Sequence, residues 1–393
     1  MSALPGLDRV DGTEITKLNE FLTETQAAWE GGEEVACVVG NESADLDSVL
    51  SAVSYGYATS RAPVIGVSHA DLELRTEVTA VLAALGIPLT LLLTTDDLIA
   101  HPNRVSSLVL VDHNALPHAL SLLADSVVSI IDHHADEGVH TNAARRIEVC
   151  GSCASLIAHV LTTTASESDD DGTLAPVVAW MLACAVVVDT INFSPDAGKA
   201  READVRALEI VRGVLGEIDV DALYHALHTA KFDVSSLSPM QLLRRDAKAY
   251  VTQGVAYAIP GVFVTTSEFV RRAGGPAGVV DVLDQYAEAT GSAFVVVMFT
   301  VHSPSISRQV VIHAPPGPNA RSLIDDLSVF LQTAEDRVLD LQPPTDQGEG
   351  GSGESGEGFG GEEELRYVHF VQHNIKATRK KMAPLLVSFV SQQ

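Results

Sequence analysis

Basic residues are scarce in this chain of 393 residues. It has 25 Lys and Arg against 52 Asp and Glu, so its formal net charge is −27 at pH 7. A surface of that charge repels nucleic acid and anionic membranes at long range, which argues against both as partners. An anionic substrate therefore requires a local group of basic residues within a repulsive field.

Cysteine is scarce as well. The chain has four cysteines, namely Cys37, Cys150, Cys153 and Cys184. They are too few for a disulfide scaffold and fit a reducing cytosol. Cys150 and Cys153 have the spacing of half a metal site, but no second pair accompanies them. We interpret the segment between them as a Gly-Ser turn with two incidental thiols.

No apolar run in the sequence has the length of a membrane span. The longest, Leu174–Val188, contains Pro176 and leads directly into Asp189, so we predict a buried helix there. Residues Met1–Gly12 lack the basic start and apolar core of a secretory signal. We therefore expect a cytoplasmic protein with no membrane partner, and a monomer rather than an oligomer.

The first half of the chain alternates short β-branched runs with amphipathic segments. The apolar runs indicate strands that are buried on both faces. They are Val35–Val39, Val64–Val67, Leu108–Val111 and Val127–Ile131. Helical spacing is found in Ser48–Ala58, Glu73–Leu85 and Ala115–Leu123. This alternation predicts an α/β domain, a parallel sheet with crossover helices on both faces.

The pattern changes around Gly213–Val220, and we place a domain boundary there. The first domain is then expected over residues 1–212, and a smaller α+β domain over residues 220–393. Its predicted elements are helices at Met240–Ala249, Val279–Glu288 and Ala320–Thr333, and strands at Val255–Ile259, Val262–Thr265, Phe294–Val301, Ser307–His313 and Tyr367–Val371.

Two polar, acidic segments interrupt this pattern. Ser166–Gly172 is predicted to be a surface loop before the buried helix. Residues 343–364 are mostly Gly, Ser and Glu, so they cannot bury enough apolar surface to offset the entropy lost on ordering. We predict that they form a disordered acidic insertion.

Polar clusters follow three predicted strands and the buried helix. They are Gly40–Ser48, Asp112-His113-Asn114, Asp132-His133-His134 and Asp189. In an extended loop, Asp45 and Asp47 project to the same side, and Ser48 is expected to cap the next helix. Because the carboxyl ends of parallel strands converge on one crevice, we expect these clusters to meet. Carboxylates gathered in this way repel one another, so a divalent cation is their natural partner.

These four clusters resemble, in order, the four motifs of the DHH phosphoesterase superfamily. The form Asn-Glu-Ser-Ala-Asp-Leu-Asp-Ser at 41–48 resembles the cytosolic exopolyphosphatase branch that is known in fungi. The segment Gly-Ser-Cys-Ala-Ser at 151–155 is similar to a further glycine-rich turn of that branch. The resemblance implies an N-terminal parallel-sheet DHH domain.

The second half resembles a DHHA2 domain. Leu237–Leu243, followed by Asp246 and Lys248, is similar to the start of that domain. Thr378-Arg379-Lys380 resembles its substrate-binding Ser-Arg-Lys stretch. The resemblance therefore extends over nearly the whole chain and implies a C-terminal substrate-binding domain.

The resemblance implies two divalent cations, Mg²⁺ or Mn²⁺, as cofactors. Asp45 is expected to bind one cation and Asp47 the other, with Asp112 bridging the two. His133 and Asp189 complete the second metal site.

The same resemblance implies the residues that contact the substrate. His134 is expected to face the phosphate, and Lys248, Arg379 and Lys380 to bind it from the second domain. The catalytic residues are then Asp112, which holds the metals, together with His134 and Arg379, which meet the charge on the phosphoryl oxygens.

Asn41 departs from the pattern, because related pyrophosphatases have a histidine metal ligand there. An amide is a weaker ligand for transition metals than imidazole. We therefore expect less dependence on manganese and readier use of magnesium, and we favour a substrate other than pyrophosphate.

The activity that the resemblance implies is exopolyphosphatase. Two cations activate a water, which attacks the terminal phosphorus of inorganic polyphosphate and releases orthophosphate. The alternatives that stay open are a Prune-like short-chain polyphosphatase or cyclic-nucleotide phosphodiesterase, an inorganic pyrophosphatase, and a binding protein on a decayed enzyme fold. A RecJ-type nuclease is disfavoured because the sequence has no Gly-Gly-His motif.

Overall fold

A parallel sheet organises the first half of the chain. The computed structural model describes residues 4–165, 173–301, 305–334, 337–344 and 367–392. The strands of this sheet are β1 (Val35–Val39), β2 (Ala62–Ile65), β3 (Leu93–Thr94), β4 (Val105–Val111), β5 (Val127–Asp132) and β6 (Ala144–Ile147). They lie in the order β3-β2-β1-β4-β5-β6, and every neighbouring pair is parallel. The four predicted strands are confirmed, and the short edge strands β3 and β6 are additional.

Helices cover both faces of this sheet. They are α1 (Gly12–Glu30), α2 (Leu46–Thr59), α3 (His69–Leu72), α4 (Thr76–Ala84), α5 (Thr95–Ala100), α6 (Cys153–Ala165), α7 (Pro176–Asp189), α8 (Glu202–Leu215) and α9 (Val220–Phe232). Alternate residues of each strand enter opposite cores: Val109 packs with α2 and α7, whereas Leu108 packs with α5 on the other face. The predicted buried helix is α7, in which every residue from Val177 to Val187 is buried. The segment Ala115–Leu123, predicted to be α-helical, instead contains the start of a 3₁₀ helix over His118–Ser126.

The strand order gives this sheet a switch point. The chain moves from β1 to β2 and β3 on one side, and then returns to β4, β5 and β6 on the other. The loops that leave β1 and β4 therefore diverge and open a crevice at the carboxyl ends of these two strands. This crevice lies where the predicted polar clusters begin.

A mixed sheet organises the second half. Its strands are β7 (Ala247–Thr252), β8 (Val255–Val262), β9 (Phe294–Val301), β10 (Ser307–His313), β11 (Leu341–Gln342) and β12 (Tyr367–Gln372). Its helices are α10 (Pro239–Arg245), α11 (Thr266–Ala273), α12 (Pro276–Thr290), α13 (Ala320–Thr333) and α14 (Arg379–Val390). The strand order is β11-β12-β10-β9-β8-β7, and only β8 and β9 pair in parallel. The predicted hairpin of β9 and β10 and the predicted α+β class are confirmed.

The structure moves two predicted boundaries. The chain divides into two units at Val234/Ser235, one helix beyond the predicted boundary at 213–220. The reason is that α9 buries Leu223 and Leu227 in the core of the first unit. The predicted helix Met240–Ala249 ends at Arg245, since the chain turns at the next residue into the strand β7. The strand predicted at Val255–Ile259 extends to Val262 as β8, whereas the strand predicted at Val262–Thr265 is wrong, because Thr265 caps the helix α11.

Some sequence-based expectations concern residues beyond this description. The predicted acidic loop Ser166–Gly172 and the predicted insertion 343–364, from residue 345 onward, lie outside the described residues. Within the described segments, no helix combines the length and the apolar character that crossing a bilayer requires.

Gly66, which follows β2, is a point where the fold tolerates no side chain. A Cβ built there would lie 1.9 Å from the backbone oxygen of Asn41, whereas a Cβ at Gly213 in α8 would meet nothing within 4 Å. We expect Gly66→Ala to lower the free energy of unfolding by about 3 kcal/mol, because backbone atoms must shift. Gly213→Ala is the matched control and should raise it by about 1 kcal/mol or less, through helix propensity. Urea denaturation measures both, and equal stability of the two variants contradicts the predicted close approach.

Candidate functional site

The crevice of the first unit begins with the loop between β1 and α2. Asp45 is the N-cap of α2, and its Oδ1 accepts a hydrogen bond of 3.2 Å from the Ser48 amide. The prediction that Ser48 caps this helix is therefore wrong. The Ser48 hydroxyl instead accepts a hydrogen bond of 2.7 Å from the backbone N–H of Asn41, because the tight turn brings these groups together.

Asp47 lies in the first turn of α2 rather than in an extended loop, and only 2% of it is exposed. The prediction that Asp45 and Asp47 lie together in an extended loop is therefore wrong, because α2 already begins at Leu46. Both carboxylates nevertheless reach the same place, since each of them raises the pKa of the buried Asp112.

Asp112 follows β4 and has a φ of +64°, a left-handed conformation that Asp and Asn adopt more readily than most residues. Its carboxylate Oδ2 accepts a hydrogen bond of 2.7 Å from Asn41 Nδ2. The Asn41 Oδ1 atom accepts two bonds of its own, from the amide and the hydroxyl of Ser43. Asn41 therefore presents its amide NH₂ group to Asp112 and does not offer its oxygen to a cation.

Asp132, at the end of β5, orients the two histidines that follow it. Its Oδ1 accepts hydrogen bonds from the His133 amide at 2.8 Å and from His134 Nδ1 at 2.8 Å. Its Oδ2 accepts from Asn114 Nδ2 at 2.5 Å. Burial raises the pKa of Asp132, but the bonds from His134 and Asn114 outweigh it and hold the pKa below its ordinary value. Asp132 is thus a permanent anion that positions His133 and His134.

His133 points its second ring nitrogen at the carboxylates. Its Nδ1 lies 3.0 Å from the Cys150 carbonyl oxygen, which can only accept, so the proton is on Nδ1. Its Nε2 lies 3.2 Å from Asp112 Oδ1 and 3.6 Å from Asp47 Oδ2. A ring held in this tautomer presents Nε2 as a metal ligand. The side chain of His134 is 55% exposed and lies at the open side of the crevice.

Asp189 is the last residue of α7, and its side chain adds a further carboxylate to the crevice. Burial, and then the nearby charges of Asp47 and Asp45, raise its pKa to about 10. Burial and the charge of Asp47 likewise raise the pKa of Asp112 to about 8. These carboxylates cannot all carry their charge without a cation among them.

The negative charge of the crevice also raises the pKa of His133. Burial alone lowers it, but the hydrogen bonds to Asp112 and Cys150 and the charge of Asp47 raise it to about 12. The imidazolium then serves as the cation that the carboxylates need. A bound metal ion would take over this role from the proton.

The donor set suits a hard divalent cation. Ligand atoms of Asp112, His133 and His134 all lie within 4.8 Å of one another. Asp112 Oδ1 is buried, and among the described residues it has no hydrogen bond of good geometry. Carboxylate oxygens with one or two imidazole nitrogens fit Mg²⁺ or Mn²⁺. Of the five predicted metal ligands, the structure brings Asp47 and Asp112 to His133, and the charges of Asp45 and Asp189 act within the same group of carboxylates.

The turn before α6, at residues 151–155, positions Asp47. Asp47 accepts hydrogen bonds from the Ser152 hydroxyl at 2.7 Å, the Cys153 amide at 2.6 Å and the Ala154 amide at 2.8 Å. The segment is a turn, as predicted, and its backbone donors in addition hold a carboxylate of the crevice. The thiols of Cys150 and Cys153 are buried.

Asp204 in α8 holds this turn in place and is missing from the sequence-based set. It is fully buried, and its two oxygens accept bonds from the amides of Gly151, Ser152 and Arg201 and from the Ser155 hydroxyl. A Cβ at Gly151 would lie 2.9 Å from Asp204 Oδ2, which is why glycine stands there. The sequence signal for Asp204 is weak, since an Asp in the first turn of a helix is ordinary.

The predicted substrate-binding residues of the second unit line one cleft of about 440 Å³. Lys248, on β7, and Lys380, on α14, are both exposed. Arg379, by contrast, donates to the Asp246 carboxylate and carbonyl at 2.7 Å each and to the Ile259 carbonyl at 3.2 Å. Three of its five N–H donors are thus occupied within the protein.

Arg308, Arg271 and Arg272 of the second unit do not belong to the sequence-based set of substrate-binding residues. Arg308, on β10, lines the same cleft and is absent from the sequence-based set, since a lone Arg in a strand carries no motif. Arg271 and Arg272 both pair with Glu268, as expected of ordinary surface residues.

Removing one carboxylate should stabilise the metal-free protein. We expect Asp189→Asn to raise the melting temperature in EDTA by about 2–4 °C, the shift for about 1 kcal/mol in a unit of this size, because folding no longer has to bury a carboxyl and raise its pKa to about 10. Asp196→Asn, at an exposed position, is the control and should leave it unchanged. Differential scanning calorimetry measures both, and a lower melting temperature for Asp189→Asn contradicts the repulsion.

Asp204 should control metal affinity through Asp47. In either orientation, Asp204→Asn sets an amide NH₂ group against two buried donors, so the 151–155 turn shifts. We expect the dissociation constant for Mn²⁺, measured by titration calorimetry, to rise by about 10–100-fold. Ser155→Ala removes one bond and should raise it by less than about threefold. Wild-type Mn²⁺ affinity in folded Asp204→Asn excludes this role.

Two family models match the chain. The DHH family, N-terminal domain, matches residues 36–186, and the DHHA2 domain matches residues 225–389. The first match contains the crevice up to α7, and the second contains the basic cleft.

Several relatives of this chain have names that contain the word exopolyphosphatase. "Exopolyphosphatase PRUNE1" of Homo sapiens is 26% identical over 393 residues, covering 95% of this chain and 80% of that protein. In the mouse, rat and bovine proteins of the same name, the match covers 58% of their length. A "Putative exopolyphosphatase" of Schizosaccharomyces pombe is 28% identical over 376 residues, covering 90% of this chain and 91% of that protein.

A "Probable manganese-dependent inorganic pyrophosphatase" of Lactiplantibacillus plantarum is 25% identical over 221 residues, covering 55% of this chain and 67% of that protein. All these similarities agree with the order of the two family matches and with the two units of the fold. The chain belongs to the DHH phosphoesterase superfamily, in its form with a C-terminal DHHA2 domain.

Proposed function

We propose that the chain is an exopolyphosphatase that uses two divalent cations to hydrolyse the terminal phosphoanhydride bond of inorganic polyphosphate. The observation that carries this proposal is the position of His133 Nε2, 3.2 Å from Asp112 Oδ1 and 3.6 Å from Asp47 Oδ2, within a group of carboxylates whose raised pKa values call for cations. The relatives named exopolyphosphatase support the substrate. The fungal relative, matched over most of both chains, supports the cytosolic fungal-type branch.

The proposed metal ligands divide as the resemblance implies. Asp45 holds one cation and Asp47 the other, Asp112 bridges them, and His133 and Asp189 complete the second site. Two cations, when bound, polarise the phosphoryl oxygens and lower the pKa of a water between them. The protein supplies the geometry: the 151–155 turn orients Asp47, Asn41 orients Asp112, and Asp132 orients both histidines.

His134 is the proposed contact of the crevice with the phosphate. Its side chain is half-exposed and its Nδ1 donates to Asp132, so its Nε2 donates to a phosphoryl oxygen when the ring carries a second proton as an imidazolium. The charge that develops on these oxygens is stabilised by such fixed donors. The second unit supplies Lys248, Lys380 and the remaining donors of Arg379 for the phosphate chain.

Asn41 favours magnesium over manganese at the proposed metal site. A histidine at position 41 would add an imidazole ligand, which suits manganese. The Asn41 side chain instead donates a hydrogen bond to Asp112, so most of the proposed ligand atoms are carboxylate oxygens. Oxygen-rich sites suit Mg²⁺. The same feature distinguishes the chain from the manganese-dependent pyrophosphatases among its relatives. The four cysteines are free thiols, which supports a reducing, cytoplasmic environment.

Orthophosphate release tests the proposal directly. The full chain, with Mg²⁺ and then with Mn²⁺, is incubated with long-chain polyphosphate, tripolyphosphate, pyrophosphate and cyclic AMP. We expect orthophosphate from the two polyphosphates in both metals. Orthophosphate from pyrophosphate alone would assign the pyrophosphatase activity instead. Conversion of cyclic AMP alone, followed as AMP because its hydrolysis releases no orthophosphate, would assign the phosphodiesterase activity.

Asp112→Asn should abolish this turnover. Asparagine tolerates the left-handed backbone at this position but cannot bridge two cations as a carboxylate does. We expect the rate to fall by about 1000-fold or more, equivalent to about 4 kcal/mol of transition-state stabilisation. Asp125→Asn, at an exposed position of the same unit, should retain full activity. Full activity of folded Asp112→Asn would overturn the two-metal mechanism.

A further inference from the structure

Arg308 is a half-buried guanidinium in the wall of the second unit's cleft. Its Nε donates to the Ile375 carbonyl at 2.8 Å, and its Nη1 donates to the Thr300 hydroxyl at 2.7 Å. These two bonds hold the guanidinium plane in one orientation. Across the described part of the chain, Arg308 forms no ion pair, and its Nη2 makes no hydrogen bond.

The other cations of this cleft differ from Arg308. Asp246 neutralises Arg379 and accepts hydrogen bonds from two of its Nη donors. Lys248 and Lys380 are exposed and flexible, and each offers a point charge rather than a fork. Arg308 is thus the guanidinium of the cleft that is both fixed in position and not neutralised by a carboxylate.

The surroundings of Arg308 make an anion favourable there. The cleft contains four cations, Lys248, Arg308, Arg379 and Lys380, against the single carboxylate of Asp246, in a chain whose net charge is −27. Pro260, Phe263 and Met298 add apolar surface to the walls, which strengthens electrostatic interactions. Burial lowers the pKa of Arg308, so its charge is held at a cost that a bound anion would offset.

We propose that Arg308 binds a phosphate group of polyphosphate through its free Nη donors and thereby sets the affinity of the cleft for the phosphate chain. A guanidinium fixed by two other bonds loses little freedom when it binds phosphate, and two parallel N–H donors match two phosphate oxygens. The identity of the anion rests on the proposed function, whereas the anion site itself does not. Arg308 acts on binding and not on the chemical step.

Equilibrium binding separates this inference from the proposed function. The probe is tripolyphosphate, titrated into the full chain in EDTA by calorimetry, so that no turnover occurs. We expect Arg308→Gln to raise the dissociation constant by about tenfold or more, the loss of charge-assisted hydrogen bonds. Arg321→Gln removes an equal charge from an exposed Arg321–Asp325 pair and should change it by less than about twofold. In the metal-loaded enzyme, Arg308→Gln should raise KM by a similar factor and change kcat by less than about twofold.

Arg308→Lys serves as the second variant, because it keeps the charge and can be compared if Arg308→Gln does not fold. It should bind tripolyphosphate more weakly than the wild type, since lysine offers no fork. Binding equal to the wild type in either folded variant would overturn the proposal, as would a wild-type chain that does not bind tripolyphosphate. A wild-type chain that binds tripolyphosphate without hydrolysing it would contradict the proposed function and leave the Arg308 site intact.

Discussion

Repulsion among buried carboxylates is the constraint on which the rest of the first unit depends. Asp47, Asp112 and Asp189 come from two helices and a strand end, and burial together with their mutual charges raises the pKa of Asp112 to about 8 and that of Asp189 to about 10. Such a group persists in a folded protein only where other interactions hold it and a cation relieves it. A cation bound in this crevice would therefore contribute to the stability of the unit as well as to its chemistry.

The interactions that hold this group are neutral donors and fixed anions. Backbone amides of the 151–155 turn orient Asp47, and the fully buried Asp204 orients that turn. Asp132 orients His133 and His134 in the same way, and the hydrogen bonds from His134 and Asn114 hold its pKa below its ordinary value. Asp47 and the two histidines thus each have a partner that orients them, an arrangement that strongly affects metal affinity where such residues are ligands.

The second unit distributes its charge differently. Its cleft holds two arginines, but Asp246 binds one of them, so that Arg379 joins β7 and β8 to the start of α14. Among the described residues, Arg308 has only neutral hydrogen-bond partners, so its charge stays available for the proposed ligand. In a chain of net charge −27, this division between a structural and a binding arginine decides where a polyanion can be held.

The sequence by itself determined the parallel sheet, the buried helix α7 and the polar clusters that follow the strands, because apolar periodicity and the ends of strands are local signals. Tertiary structure decided the rest. It placed α9 in the first unit through the burial of Leu223 and Leu227, and it made Asp45 the cap of α2. It also gave Asp204 and Arg308 their importance, since a carboxylate that supports a distant turn and a guanidinium without a counter-charge are defined by neighbours far along the chain.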